Sequence, residues 1–212
     1  LIGRCVNDGF YKYAIKLFDR MMETEILVEN DCDCFNLGFE ELVKEELISV
    51  NLESLALHIL YADYQIEVPE RRAQSLFLYF TIPFFKDIRI EKMLSLGAEE
   101  LPGLPDFWDS WLALLNHQNG DTAGRLLKEA VIYHKGNDGI LDVARLAYQG
   151  HPALYLEAME HFKNIGDGSR ELQVGLEALE KIENKYRIRS EIALNTADAA
   201  VRIGEISYVE MC

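Results

Sequence analysis

Apolar residues recur along this chain at intervals of three and four, the period of a helix with one face turned inward. Phe10, Tyr13, Ala14, Leu17, Phe18 and Met21 form one such stripe, and Phe35, Phe39, Leu42, Val43 and Leu47 a second. Leu52, Leu55, Ala56 and Ile59 form a third, and Ala73, Leu76, Phe77 and Phe80 a fourth that Pro83 breaks. Phe107, Trp111, Leu114 and Leu115 predict a helix, followed by Ala123, Leu126, Leu127, Ala130 and Val131. Ile140, Val143, Ala144 and Ala147 continue the pattern, then Tyr155, Ala158, Met159 and Phe162, then Leu172, Leu176, Leu179 and Ile182. A last long helix over residues 186–203 is expected to bury Ile188, Ile192, Ala199 and Ile203. No segment alternates with period two around hairpin turns of the Asn-Gly type, so the expected fold class is all-α.

Breakers divide the chain. Gly97, Pro102, Gly103 and Pro105 gather in residues 93–106, which predicts a boundary between an irregular helical half, 1–96, and a more regular one, 104–212. The two halves are expected to form one continuous solenoid. In the second half Asn119-Gly120-Asp121, Ile165-Gly166-Asp167 and Ile203-Gly204-Glu205 each close a helix with glycine and follow it with an acid. Glycine takes the left-handed conformation at a helix end, and the acid then sits where the next helix's dipole favours it. These turns lie roughly 40 residues apart, in the range of stacked helix-pair units.

On these residues the chain resembles a tetratricopeptide-like repeat protein. Phe107-Trp108-Asp109-Ser110-Trp111-Leu112 through Gly120-Asp121, with Ala123, Leu127 and Ala130, is similar to that motif's skeleton with a turn one residue shorter. Residues 155–182 resemble a second helix pair with the Gly-Asp turn in place. The pattern departs at Glu171 and Gly175, where the motif takes Ala and an aromatic, and the extra helix between Gly139 and Gly150 disturbs the registration. The resemblance covers about half the chain and implies a right-handed α-solenoid of antiparallel helix pairs; it argues fold and not function. A second resemblance rests on the order of an acidic turn, a helix, an LALH helix and the block HPALYLEAMEHFKNIGD, similar to the helical region of bacterial SWIM zinc-finger proteins. The Cys-x-Cys … Cys-x-His finger itself is absent, so that relation implies the helical part of such a protein without its finger.

Composition narrows the classes further. With 212 residues, 24.3 kDa and 49% hydrophobic residues, the chain can bury a core. A net charge of −15 would repel phosphate backbones, so nucleic-acid binding is not expected. The longest apolar stretch, residues 76–85, is interrupted by Thr81 and Pro83 and too short for a membrane span. The ends, Leu1-Ile2-Gly3-Arg4 without an initiator Met or secretory signal and Cys212 shortly after Gly204, lead us to expect a piece of a longer protein. Four cysteines without such a signal point to free thiols in a reducing cytoplasm, and we expect a bacterial one. Cys32-Asp33-Cys34 could open a thiolate metal site, but the second half of such a site is missing.

The charge is concentrated. Residues 23–70 hold thirteen acids, Glu40, Glu41, Glu45 and Glu46 among them, against one base, Lys44. Such a run is either a docking surface for a basic partner, steered by its field and weakened by salt, or a solvated face that keeps the chain soluble. Glu29-Asn30-Asp31-Cys32-Asp33 is rich in oxygen ligands, yet neither it nor Asp167-Gly168-Ser169 has the Gly and Glu an EF-hand loop needs. The histidines, His58, His117, His134, His151 and His161, fall on different elements; His151 before Pro152 suggests a cap or turn residue. Glu157 and His161 share a helix face, an arrangement commoner in surface pairs than in ligand pairs. None of the nucleophile-elbow, P-loop, dinucleotide or zinc-protease motifs occurs, and no enzyme, cofactor or metal is expected. Trp108 and Trp111, neighbours on one helix face, could present hot spots for a peptide or pack between helices; the repeat skeleton favours packing. Arg71, Arg72, Arg187 and Arg189 are basic exceptions that could clamp a partner carboxylate. The expectation is a non-enzymatic interaction or scaffold module that binds a protein or peptide, basic in character. The alternative is an accessory region of a larger protein whose catalytic or nucleic-acid-binding part lies outside this chain.

Overall fold

A computed structural model describes residues 1–29, 34–97 and 100–211. Helices dominate it: twelve α-helices, two 3₁₀ turns and one two-stranded sheet among the described residues. The chain divides into two compact units, Leu1–Phe107 and Trp108–Cys212.

The first unit is organised around one helix. Helices α1 (Ile2–Asn7) and α2 (Tyr11–Glu23) precede strands β1 (Ile26–Glu29) and β2 (Cys34–Leu37); α3 (Phe39–Lys44), α4 (Leu52–Ile66), α5 (Pro69–Tyr79) and α6 (Ile90–Leu94) follow. Asn51 starts α4 as its side chain accepts the Ser54 N–H at 2.8 Å. Apolar residues run nearly all round α4, and α1, α2, α5, α6 and the Pro83–Phe85 turn all pack on it. Phe18, Phe39, Phe84 and Phe85 make an aromatic cluster at one end, with ring centroids 5.0–6.2 Å apart.

Arg72 of α5 is buried in this unit and lies over the Tyr64 ring, 4.4 Å from its centroid. Its Nε donates to the carbonyl oxygens of Tyr64 at 3.0 Å and Glu67 at 3.3 Å, and its Nη1 to that of Pro102 at 2.6 Å. It therefore satisfies the free carbonyls at the end of α4 and ties the boundary segment to them.

Two expectations need correction here. The stripe from Phe35 to Leu47 is not one helix: Phe35 lies in β2, and α3 covers only Phe39–Lys44. Gly38 is extended at the junction, and its N–H donates to Glu41 Oε2 at 2.9 Å, which fixes the helix start three residues earlier in the chain than that acid. The all-α expectation likewise misses the antiparallel hairpin, whose register pairs Ile26 with Leu37 and Val28 with Phe35.

The second unit contains the larger part of α7 (Leu104–His117), then α8 (Asp121–Lys135), α9 (Gly139–Ala147), α10 (Leu154–Asn164), α11 (Gly168–Lys181) and α12 (Ile188–Ile203). From α8 onward each helix packs on the next, and α10 also touches α12. Most of the predicted stripes hold here, but α12 buries only Ile192 and Ala199 of its expected four: Ile188 is half-buried and Ile203, at the helix end, is exposed. Ile140, Val143, Ala144 and Ala147 are all buried, as are Tyr155, Ala158, Met159 and Phe162. Gly166 has φ +78°, and the following Asp167 accepts the Arg170 N–H at 3.0 Å as the N-cap of α11. No helix among the described residues is long and apolar enough to cross a membrane.

Candidate functional site

In the first unit α2, α3 and the start of β1 enclose an open groove of about 440 Å³. Leu17 and Met21 of α2, Ile26 of β1, Phe39 and Leu42 of α3, and Ile48 beyond it supply an apolar lining; Arg20 and Thr24 complete it. The same short α3 that turns Phe39 and Leu42 into the groove turns Glu40 and Glu41 outward, because residues adjacent in a helix point about 100° apart. Glu45 and Glu46 follow directly, and all four are exposed. Glu46 sits at φ +57° and carries the chain out of the helix. Four exposed carboxylates thus lie on and just after the helix that forms one wall, while the charged residue in the lining itself is Arg20. The hairpin above adds exposed apolar surface at Ile26 (49% accessible), Leu27 (58%) and Phe35.

Other residues singled out by the sequence fall elsewhere. Trp108 and Trp111 are 3% and 0% accessible. Trp108 packs against Tyr133 and stacks on His134 of α8, with centroids 5.2 and 6.1 Å away, so both indoles lie in the core and neither lines an open groove. Arg189 does for α11 what Arg72 does for α4: its Nη1 donates to the carbonyls of Leu179 and Ile182. These two arginines hold helix ends, while Arg71 and Arg187 are exposed. His151 stands at the turn before α10, as expected, its carbonyl accepting the Leu154 N–H at 3.1 Å; it is also buried, and its Nε2 meets the Leu115 carbonyl at 3.1 Å. Glu157 and His161 go to different partners, Lys128 at 2.5 Å and Asp138 at 2.9 Å. Cys5 and Cys34 are free thiols; Cys32, Asp33 and the oxygen-rich run 30–33 lie outside the described residues. Among the described residues no three His, Cys, Asp or Glu side chains gather as a metal-binding group.

A dense charged cluster lies in the second unit. Glu177 of α11 accepts two bonds from Arg145 Nε, at 3.0 and 3.1 Å, and one from Arg145 Nη2 at 2.8 Å. Lys181 Nζ at 2.8 Å and the Tyr155 hydroxyl at 3.0 Å complete its shell. The Arg145 bonds, with help from Lys181 and Tyr155, pull the Glu177 carboxyl down to about 2. Burial pushes the Tyr155 phenol up. The cluster borders a cleft of about 400 Å³, but its carboxylate is already saturated by the chain's own donors.

A less satisfied carboxylate left only a faint mark in the sequence. Glu171 of α11 is 1% accessible; its Oε1 accepts Arg202 Nη2 at 2.6 Å, and its Oε2 is buried with no hydrogen-bond partner. The only trace of it in the sequence was an acid where the repeat motif takes Ala. Searches of known protein families, of curated proteins and of solved structures found no match to this chain.

Proposed function

We propose that this chain is a non-enzymatic binding module, and that its first unit takes a basic, amphipathic segment of a protein partner in the groove between α2, α3 and β1. The observation that carries this is the junction of an apolar floor (Leu17, Met21, Phe39, Leu42, Ile48) with the exposed Glu40, Glu41, Glu45 and Glu46. A partner helix with a leucine or phenylalanine stripe would bury its apolar face there and set flanking lysines or arginines against the acids. The thirteen-to-one excess of acids over residues 23–70 would steer such a partner in and repel an acidic one. The non-enzymatic reading has support from the Glu177 cluster, whose strong interactions close on themselves. A reducing compartment fits the free thiols of Cys5 and Cys34.

We read the second unit as a tetratricopeptide-like stack with the right-handed course of a solenoid. What supports this is the order of packing, each helix on the next with α10 reaching α12, together with the glycine-acid turns that join the helices.

The test uses a labelled helical peptide with lysines flanking a leucine stripe, a scrambled peptide of equal charge, and a version with glutamate in place of lysine. The chain should bind the first, bind the scrambled one at least about tenfold more weakly, and ignore the third. Replacing Glu40, Glu41, Glu45 and Glu46 with Gln should weaken the first by about tenfold or more and flatten its salt dependence. Equal affinity for the ordered and scrambled peptides, or an unchanged affinity of the Gln variant, would overturn the reading.

A further inference from the structure

The lining of the α2–α3 groove is not acidic. Leu17, Arg20 and Met21 of α2, with Thr24 at its end, follow the 3–4 spacing of one helix face, so Arg20 enters the lining between apolar neighbours. Lys16 and Lys12 precede it by one and two turns, and all three cations are exposed. Like charges four apart on a helix repel one another, and Asp19 and Glu23 of the same helix pair with none of them.

Arg20 stands apart from the other arginines that line clefts of this chain. Arg145 holds Glu177 at 2.8 Å and Arg125 holds Glu129 at 3.1 Å, each a carboxylate of the chain itself. Among the described residues no carboxylate or carbonyl takes the Arg20 guanidinium. A helix laid over Leu17 and Met21 would strip water from it, and an arginine covered without a partner weakens binding. Resting on the reading of this groove as a peptide site, we propose that the bound segment carries an Asp or Glu at one edge of its apolar stripe. Arg20 receives that carboxylate and so determines specificity, while the segment as a whole stays basic.

The chemistry selects a carboxylate. The guanidinium presents its N–H groups in a planar fork that fits two carboxylate oxygens at once. A phosphate fits the same fork but brings nearly two charges towards a region that holds thirteen acids. The occupant then has an acidic edge for Arg20 on α2 and a basic edge for Glu40, Glu41, Glu45 and Glu46 on and after α3. Turning a helix end for end exchanges its edges, so only one direction along the groove satisfies both.

The test measures binding of the full chain to three helical peptides with leucines along one stripe and lysines along one edge of it. They differ at a single position on the opposite edge, which is Glu, Gln or Lys. The Glu peptide should bind about fivefold more tightly than the Gln peptide, with the Lys peptide weakest. Arg20→Gln should abolish the difference between Glu and Gln and leave affinity for the Gln peptide within about twofold. Arg20→Glu should reverse the order and favour Lys. Arg20 is exposed and its guanidinium holds nothing in the fold, so both variants retain the groove. Equal binding of the Glu and Gln peptides, or a preference that survives Arg20→Gln, would overturn this proposal and leave the groove's reading standing. Binding of none of the three would overturn both.

Discussion

Gly175 shows how a single residue decides the spacing of two helices. A Cβ there would lie 2.1 Å from Thr196 Oγ1 and 2.8 Å from Met159 Cε, so α11 and α12 approach as closely as they do only because that atom is missing. Gly175→Ala should therefore destabilise the chain by about 1–3 kcal/mol in urea unfolding, even though alanine is the better helix former. An unchanged midpoint would mean that the α11–α12 contact has slack. Asp63 is the opposite case, a buried acid held by too little. Burial raises its pKa, the Ser75 bond opposes that only in part, and Oδ2 has no partner. An acid raised on folding penalises the native state once it ionises, and the penalty disappears as pH falls towards the unfolded value near 3.8. Asp63→Asn should accordingly stabilise the chain at neutral pH by about 1 kcal/mol, with the gain shrinking in acid. A loss of stability at neutral pH would show that the carboxylate, and not its shape, is what the core needs. Glu171 and Gly175 were both legible as departures from the repeat motif. Their consequences were not, because each depends on α12, some twenty to thirty residues further along.

At the scale of elements, the sequence marks well whatever is fixed by local chemistry. The helices from α8 to α12 start and stop where glycine, acids and the 3–4 stripes place them, because caps and amphipathic faces are written in a few adjacent residues. The hairpin was hidden for the same reason reversed. Its strands are four residues each, too short to show alternation, and the sequence between them, Asn30-Asp31-Cys32-Asp33, has no glycine to signal a tight hairpin. The apolar residues on either side of Gly38 then read as one helix face when they belong to two elements. Packing between elements is stated by no local pattern, and the Glu177 cluster is the clearest example. It joins α9, α10 and α11 through Arg145, Tyr155 and Lys181. An acid depressed on folding contributes stability that is complete above its unfolded value near 4.5 and is lost as pH falls towards about 2. Thermal unfolding followed between pH 6 and pH 2 should show this loss, and Glu177→Gln should remove that part of it at a cost of about 1 kcal/mol at neutral pH. Parallel pH profiles for the two proteins would show that the three helices do not depend on the cluster.

Over the whole molecule the governing quantity is charge and where it falls. A net −15 is compatible with many soluble chains, yet most of it falls within residues 23–70, and four of those acids lie on and just after α3, a wall of the apolar groove. The acid run was plain in the sequence. The groove was not, since its lining comes from α2, β1, α3 and the segment after it, and only folding brings those together. The indoles, candidates for hot spots but favoured by the repeat skeleton as packing, went into the core, where large aromatics bury the most apolar area. The account therefore rests on where a basic amphipathic helix binds. The most direct measurement is a methyl and amide shift map of the full chain with the lysine-leucine peptide bound. The account predicts saturable shifts centred on Leu17, Met21, Ile26, Leu42 and Ile48, with Glu40, Glu41, Glu45 and Glu46 at their edge. A saturable map that leaves these residues unmoved, or no saturable binding at all, would contradict it.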